Sequence, residues 1–170
     1  MGADYLLLES TYGDRLHPDV SPLEELARVT EQTVSRKGTL LVPAFAVGRT
    51  QDVLYYLRAL QRGGRIPEDL PIFVDSPMAT SMVDLYCQHT EEHDVEAAAL
   101  RNTGRCPIDG PSVRLVRSHK DSKRLNGREG PMVIISASGM LTGGRVLHHL
   151  KRRLPDPDTT FAQFGMFASL

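Results

Sequence analysis

The sequence predicts an α/β fold, a mostly parallel sheet flanked by helices on both faces. Three observations predict it. Short apolar runs alternate with helix-period stretches at the spacing of strand–helix–strand units. Three of those runs, Thr39-Leu40-Leu41-Val42, Ile72-Phe73-Val74 and Val133-Ile134-Ile135, pass through a polar, Gly- or Pro-bearing turn straight into a helix-like segment. The unbroken β-branched run at 133–135 reads as a strand covered on both sides, at the centre of a sheet.

The elements follow in order. Residues 4–8 read as a buried strand that ends in Glu9-Ser10-Thr11-Tyr12-Gly13. Ser21 caps a first helix with Pro22 at its first position and Glu24 and Glu25 in its first turn, the chemistry that a helix N-terminus favours. Gly38 ends that helix, and a strand over 39–43 follows. A second helix spans Gly48 to Gln61, with Val53, Leu54, Leu57 and Leu60 on one face, and Gly63-Gly64 stops it. A strand over 71–75 and a helix from Met78 to Gln88 come next, then a weaker helical stretch over 91–105. Residues 112–116 alternate like a strand, 120–126 make one or two helical turns, and 132–136 form the central strand. A helix from Thr142 to Leu154 stops before Pro155-Asp156-Pro157, and 159–164 make a last short strand.

The chain has 170 residues, enough for one domain with one core. Its 41% apolar and 24% charged residues are ordinary for a globular domain, and a net charge of −1 excludes a chain that is basic as a whole. Local basic clusters occur at Arg114, Arg117, Lys120, Lys123 and Arg124, and at Arg145, Lys151, Arg152 and Arg153; on charge alone they read as solvated faces. Cys87 and Cys106 form no C-x-x-C pair and read as two reduced thiols. No apolar run approaches the roughly 18–20 residues of a membrane span, and no signal peptide is seen, so a cytoplasmic protein without a membrane partner is the expectation.

The chemistry sits in the turns after the strands. In open α/β sheets the crevice at the carboxyl ends of the strands is where ligands bind. Glu9, at the end of the first apolar run, can orient a histidine, bind a metal or cap the turn. Arg49 stands at a helix start, where a cation is electrostatically unfavourable unless an anion joins it; a phosphate or an internal pair with Asp52 would serve. Ser136-Ala137-Ser138-Gly139-Met140 joins a strand to a helix opening with Gly143-Gly144, and presents hydroxyls and N–H groups either to an anion or to simple capping. His89-Thr90-Glu91-Glu92-His93 formally matches H-x-x-E-H, but the segment is highly charged and lacks an evident third ligand, so it reads as a chance match. His148 and His149 are adjacent on a helix and point about 100° apart, so they cannot share a metal. His17 and His119 are isolated.

Taken in order, Glu9-Ser10-Thr11-Tyr12-Gly13-Asp14-Arg15, the run from Pro43 to Asp52, Asp75-Ser76-Pro77-Met78-Ala79 and the run from Ser136 to Arg145 carry a resemblance. The chain resembles the β-CASP domain of the metallo-β-lactamase-fold RNA nucleases, which include the cleavage-and-polyadenylation endonucleases and their bacterial and archaeal relatives. The resemblance covers about residue 4 to residue 158. It implies a Rossmann-like β-CASP cap domain, inserted in a metallo-β-lactamase domain that holds two zinc ions, with RNA in the cleft between them. It implies that Glu9 is the family's motif A acid, in a supporting catalytic role that orients a histidine. Arg49, Ser136, Ser138, Gly139 and Met140 would contact RNA or its phosphates, and Ser10, Thr11, Tyr12, Phe45, Asp75 and Ser76 would form the cleft rim.

The departures define the rest. The family's H-x-H-x-D-H zinc motif is absent, so the resemblance implies no metal site and no cofactor in this chain, two zinc ions in the parent's other domain, and no activity for the chain alone. The expected partners are RNA and the parent's own metallo-β-lactamase domain; self-association through the exposed rim stays open. Residues 159–170 diverge from the family's Gly-Tyr-Gln-like continuation and read as a divergent or truncated tail on a 1–158 domain. The alternative is a non-catalytic RNA- or protein-binding scaffold of the same family, and an upstream H-x-H-x-D-H would favour the enzyme. A nucleotide-binding Rossmann domain is a poorer option, because no glycine fingerprint follows the first apolar run.

Overall fold

The computed structural model describes residues 4–8, 10, 13–14, 21–93 and 106–163. Among them the order is α1 (Pro22–Ser35), β1 (Thr39–Pro43), α2 (Arg49–Arg62), β2 (Ile72–Asp75), α3 (Pro77–Gln88), a 3₁₀ turn (Thr90–Glu92), β3 (Val113–Leu115), α4 (His119–Leu125), β4 (Met132–Ser136), α5 (Val146–Arg153) and β5 (Thr160–Phe161). All strand pairs are parallel and the sheet order is β3-β2-β4-β1-β5. The 133–135 run is thus the centre of the sheet, and every residue of β4 is buried.

Right-handed crossovers explain why helices cover both faces. The chain moves one way across the sheet from β1 through β2 to β3, with α2 and α3 as its helices. It then turns back through β4 to β5, with α4 and α5. Reversing direction while keeping the hand puts the second pair of helices on the other face. The side chains record this with period two. Leu40, Val42, Ile72, Val74, Val133 and Ile135 pack with α1, α2 and α3. Leu41, Phe73, Met132 and Ile134 pack with Leu125 of α4 and Leu150 of α5.

Local chemistry sets the boundaries. Ser21 Oγ accepts the Glu24 N–H at 3.5 Å with Pro22 behind it, and Ser76 Oγ accepts the Ala79 N–H at 3.3 Å with Pro77 behind it. Gln61 donates to the carbonyls of Pro67, Glu68 and Leu70, tying the α2–β2 connection to the helix end.

The sequence expectation fails in four places. Residues 4–8 form no strand: Tyr5, Leu6, Leu7 and Leu8 are 94%, 74%, 100% and 73% exposed. An apolar run becomes a strand only when a neighbour takes its backbone groups, and the sheet edges here are β3 and β5. The last helix begins at Val146 rather than Thr142, because Leu141 and Gly144 take positive φ of 58° and 84°. The last strand is only two residues long, at the edge beside β1. Cys87 and Cys106 are a disulfide, not two thiols: the end of α3 and the approach to β3 bring their Cα atoms to 5.4 Å, within bridging distance. The expected helix over 91–105 falls mostly outside the described residues, as does the tail beyond Gln163. No helix among the described residues is long and apolar enough to cross a membrane.

Candidate functional site

Adjacent strands β1 and β4 send their following segments to opposite faces of the sheet, the divergence at which open α/β sheets form a crevice at the strands' carboxyl ends. Its walls are the turn from Ala44 to Gly48 and the loop from Ser136 to Arg145.

The first wall is rigid for a local reason. Both the N–H and the Oγ of Thr50 donate to the Phe45 carbonyl, at 3.1 and 2.7 Å, and Gln51 Nε2 donates to the Ala46 carbonyl at 3.2 Å. The start of α2 thereby holds its own entry turn and leaves Phe45 and Val47 exposed at its tip. Arg49 is the first residue of α2 and lies 3.5 Å from Asp52, so the internal pair is present. Burial pushes the Asp52 carboxyl up, and Arg49 offsets part of that.

The second wall folds on itself. Ser138 accepts from the Leu141 N–H through its carbonyl and from the Met140 N–H through its Oγ, both at 3.3 Å, and its own N–H donates to the Gly143 carbonyl at 3.3 Å. Val146 N–H reaches back to the Ala137 carbonyl at 3.2 Å. Only glycine fits at 144: besides its positive φ, a Cβ there would stand 2.3 Å from the Ala137 oxygen. Met140 projects outward, 60% exposed. The two walls meet at Gly139, where a Cβ would lie 3.0 Å from the Phe45 nitrogen, and Gln163 Nε2 donates to the Gly139 carbonyl at 3.1 Å.

Below this opening lies a buried polar hub at the end of β2. Asp75 is fully buried. Its Oδ2 accepts from His149 Nε2 and from Ser122 Oγ, both at 2.6 Å, and its Oδ1 accepts from Arg145 Nη1 at 2.8 Å. Arg145 also donates to the carbonyls of Val116 and Arg117, at 2.9 Å each. One carboxylate therefore ties the ends of β2 and β3 to α4, α5 and the segment leading into α5. Burial alone would raise the Asp75 pKa; the bonds from His149, Ser122 and Arg145 outweigh it and hold the carboxyl below its ordinary value.

The residues expected at the site divide accordingly. Phe45, Ser138, Gly139 and Met140 come together at the opening, and Arg49 stands at the start of the helix behind it. Asp75, Ser76 and Ser136 lie at the expected strand ends but do not line the opening: they are 0%, 5% and 1% exposed. Asp75 is consumed by the hub, Ser76 by capping α3, and Ser136 by donating to the Asp75 carbonyl at 2.9 Å. Ser10 is exposed, and its carbonyl accepts from the Gly13 N–H at 3.0 Å. Glu9, Thr11 and Tyr12 lie outside the described residues.

His149, Ser122 and Arg145 are the contributors that sequence reasoning missed. Arg145 and His149 are four apart, the spacing that puts two side chains on one helix face, and that was the available signal. Ser122 offers none in the sequence. Among the described residues no three histidine, cysteine or acidic side chains gather as a metal-binding group. His89 pairs with Glu91 at 3.0 Å, and His93 stacks on Tyr86 and contacts its carbonyl at 2.8 Å. The described residues at the opening thus offer an aromatic ring, a thioether and a hydroxyl.

Comparison with known proteins places the chain in a family. The family model described as Beta-Casp domain matches residues 50–167. The chain is 42% identical over 164 residues to Ribonuclease TTHA0252 of Thermus thermophilus, covering 96% of this chain and 37% of that protein. It is 32% identical over 157 residues to the transcription termination factor FttA of Thermococcus kodakarensis, covering 89% of this chain and 24% of that protein. It is 31% identical over 165 residues to the FttA protein of Methanosarcina mazei, covering 94% and 25%. The chain therefore spans 24–37% of the length of these relatives.

Proposed function

Because the chain belongs to the β-CASP domain family, we propose that it forms one wall of an RNA-binding cleft in an RNA-processing nuclease. The rest of the protein supplies the hydrolytic centre, two zinc ions in a metallo-β-lactamase domain. The residues described here do not fit a zinc site: the nearest approach to one, the Asp75–His149 pair, is closed off by Ser122 and Arg145. No catalytic step is assigned to them. Glu9 is kept as the supporting acid on the resemblance alone.

One observation carries the reading: an exposed aromatic ring on a rigid turn packs against Gly139 of the loop that carries the Ser138 hydroxyl and the exposed Met140, at the carboxyl ends of a parallel sheet. A base can stack on Phe45, and stacking of this kind contributes about 1–3 kcal/mol per base without selecting a sequence. The Ser138 hydroxyl, which accepts from the Met140 N–H and keeps its own O–H to donate, suits the phosphate beside it. The exposed apolar run Tyr5–Leu8 fits a segment that pairs with the parent's other domain. The match to proteins named transcription termination factors favours a second reading, in which the same wall holds RNA during termination.

The test is fluorescence anisotropy of this chain with a labelled single-stranded oligouridylate, extrapolated to 1 M salt to remove the electrostatic part. Phe45→Ala should weaken binding by roughly 5- to 150-fold, the range of one lost stack. Unchanged affinity, with the fold intact by circular dichroism, would refute the proposed wall.

A further inference from the structure

Charge is shared unequally between the two faces of the sheet. The helices on the first face, α1, α2 and α3, carry four Lys or Arg against five Asp or Glu. Two of those four cations are ion-paired within their own helix, Arg28 with Glu25 and Arg49 with Asp52, and Arg65, just past α2, reaches Glu24 and Glu31. The helices on the second face, α4 and α5, carry Lys120, Lys123, Arg124, Lys151, Arg152 and Arg153 against Asp121 alone.

The geometry gathers these cations into one surface. Leu125 and Leu150 enter the same core cluster, so α4 and α5 lie side by side over the sheet. Arg153 turns inward and donates to Thr39 Oγ1 and to the carbonyls of Leu125 and Arg128, which stitches the two helix ends together. The other five point to solvent. Arg128, lying over the Phe73 ring, and Arg152 share the walls of an open groove of about 370 Å³ between the ends of α4 and α5, which Glu129 and Asp156 also line. Arg124 is paired with Asp121, but no ion pair among the described residues holds Lys123, Lys151 or Arg152. Arg153 reaches Thr39 at the start of β1, whereas the crevice lies beyond its end. β1, five residues and about 13 Å long, thus separates Arg153 at its start from the crevice at its end.

We propose that this α4–α5 face is a second nucleic-acid surface, one that holds the phosphate backbone of a single RNA strand away from the strand-end crevice. Lysines and arginines without aromatic residues mark the face: α4 and α5 contain no Phe, Tyr or Trp. Protein interfaces are enriched in aromatic side chains and depleted in lysine, so an acidic protein partner fits this face less well than a phosphate backbone does. The choice of RNA over other polyanions rests on the reading of the crevice; the position and chemistry of the surface do not.

The test compares the salt dependence of oligouridylate binding by the chain and by its Lys123→Ala/Lys151→Ala/Arg152→Ala variant, whose altered side chains are all exposed. Each phosphate contact on a single strand contributes about −0.7 to the slope of log K against log salt, so the variant should lose roughly 2 from that slope and bind more weakly at low salt. Phe45→Ala should leave the slope unchanged, which separates this surface from the crevice: either can fail while the other survives. An unchanged slope in the triple variant, or no binding to the wild-type chain at low salt, overturns the proposal. Displacement of the RNA by polyglutamate at equal charge concentration overturns it in favour of an acidic protein partner.

Discussion

Replacing Asp75 by Asn keeps the size of the side chain and removes its charge, in a site with no access to water. The carboxylate accepts from Ser122 Oγ and His149 Nε2 at 2.6 Å each and from Arg145 Nη1 at 2.8 Å. Hydrogen bonds to a charged group contribute about 1.5–3 kcal/mol each, and breaking a buried charged pair costs about 3–5 kcal/mol. Arg145 keeps the Val116 and Arg117 carbonyls, so its charge is not stranded and the lower part of that range applies. The expected loss is about 3–4 kcal/mol, a large share of the roughly 5–15 kcal/mol that a domain has. In a chain of this size that lowers the melting temperature by roughly 6–16 °C. Urea unfolding followed by far-UV circular dichroism reads the free energy directly. Ser122→Ala, which removes one bond to the carboxylate and leaves its charge, should lose about 1.5–3 kcal/mol. A loss below about 1 kcal/mol in Asp75→Asn would show that the hub does not bear on stability, and the reasoning would be wrong.

Three further outcomes follow from the same structure. Asp75 titrates below its ordinary value in the fold, so its contribution is present above the unfolded carboxyl value and drains as pH falls through the folded one; unfolding free energy should decline below about pH 4, and Asp75→Asn should flatten that acid limb. The Cys87–Cys106 bridge spans 19 residues, which in the chain-entropy view stabilises by at most about 3 kcal/mol; reductant should lower the melting temperature, and the unreduced, denatured chain should show no reactive thiol, whereas two thiols by Ellman titration would contradict the bridge. Gly144→Ala forces a side chain into positive φ and onto the Ala137 oxygen, so about 2 kcal/mol or more should be lost; Gly143→Ala, with nothing within 4 Å, should cost far less, and equal urea midpoints for the two variants would count against the argument.

Much of the architecture was legible along the chain because it depends on local periodicity. The runs at 39–43, 72–75 and 132–136 are strands, and Ser21, Pro22 and Gly63 bound helices where capping chemistry puts them. The central place of 132–136 was legible as well, since only a strand buried on both faces is apolar without alternation. The order of turns on one rim, Phe45 with Gly139 and Met140, followed from parallel strands that all end on the same side.

What the sequence could not determine lies in contacts between residues far apart. The run at 5–8 is as apolar as any strand, but strand formation needs a neighbour, and neither sheet edge pairs with it. Asp75 looked like a rim carboxylate because it ends a strand; its burial comes from Ser122 and His149, 47 and 74 positions away. Cys87 and Cys106 looked like two thiols because a bridge depends on Cα separation, which spacing does not give. Periodicity, capping and turn chemistry act over a few residues and can be read from the chain by itself. Which carboxylate is buried, which strand finds a partner and which face gathers the positive charge were decided only when the tertiary structure brought distant segments together.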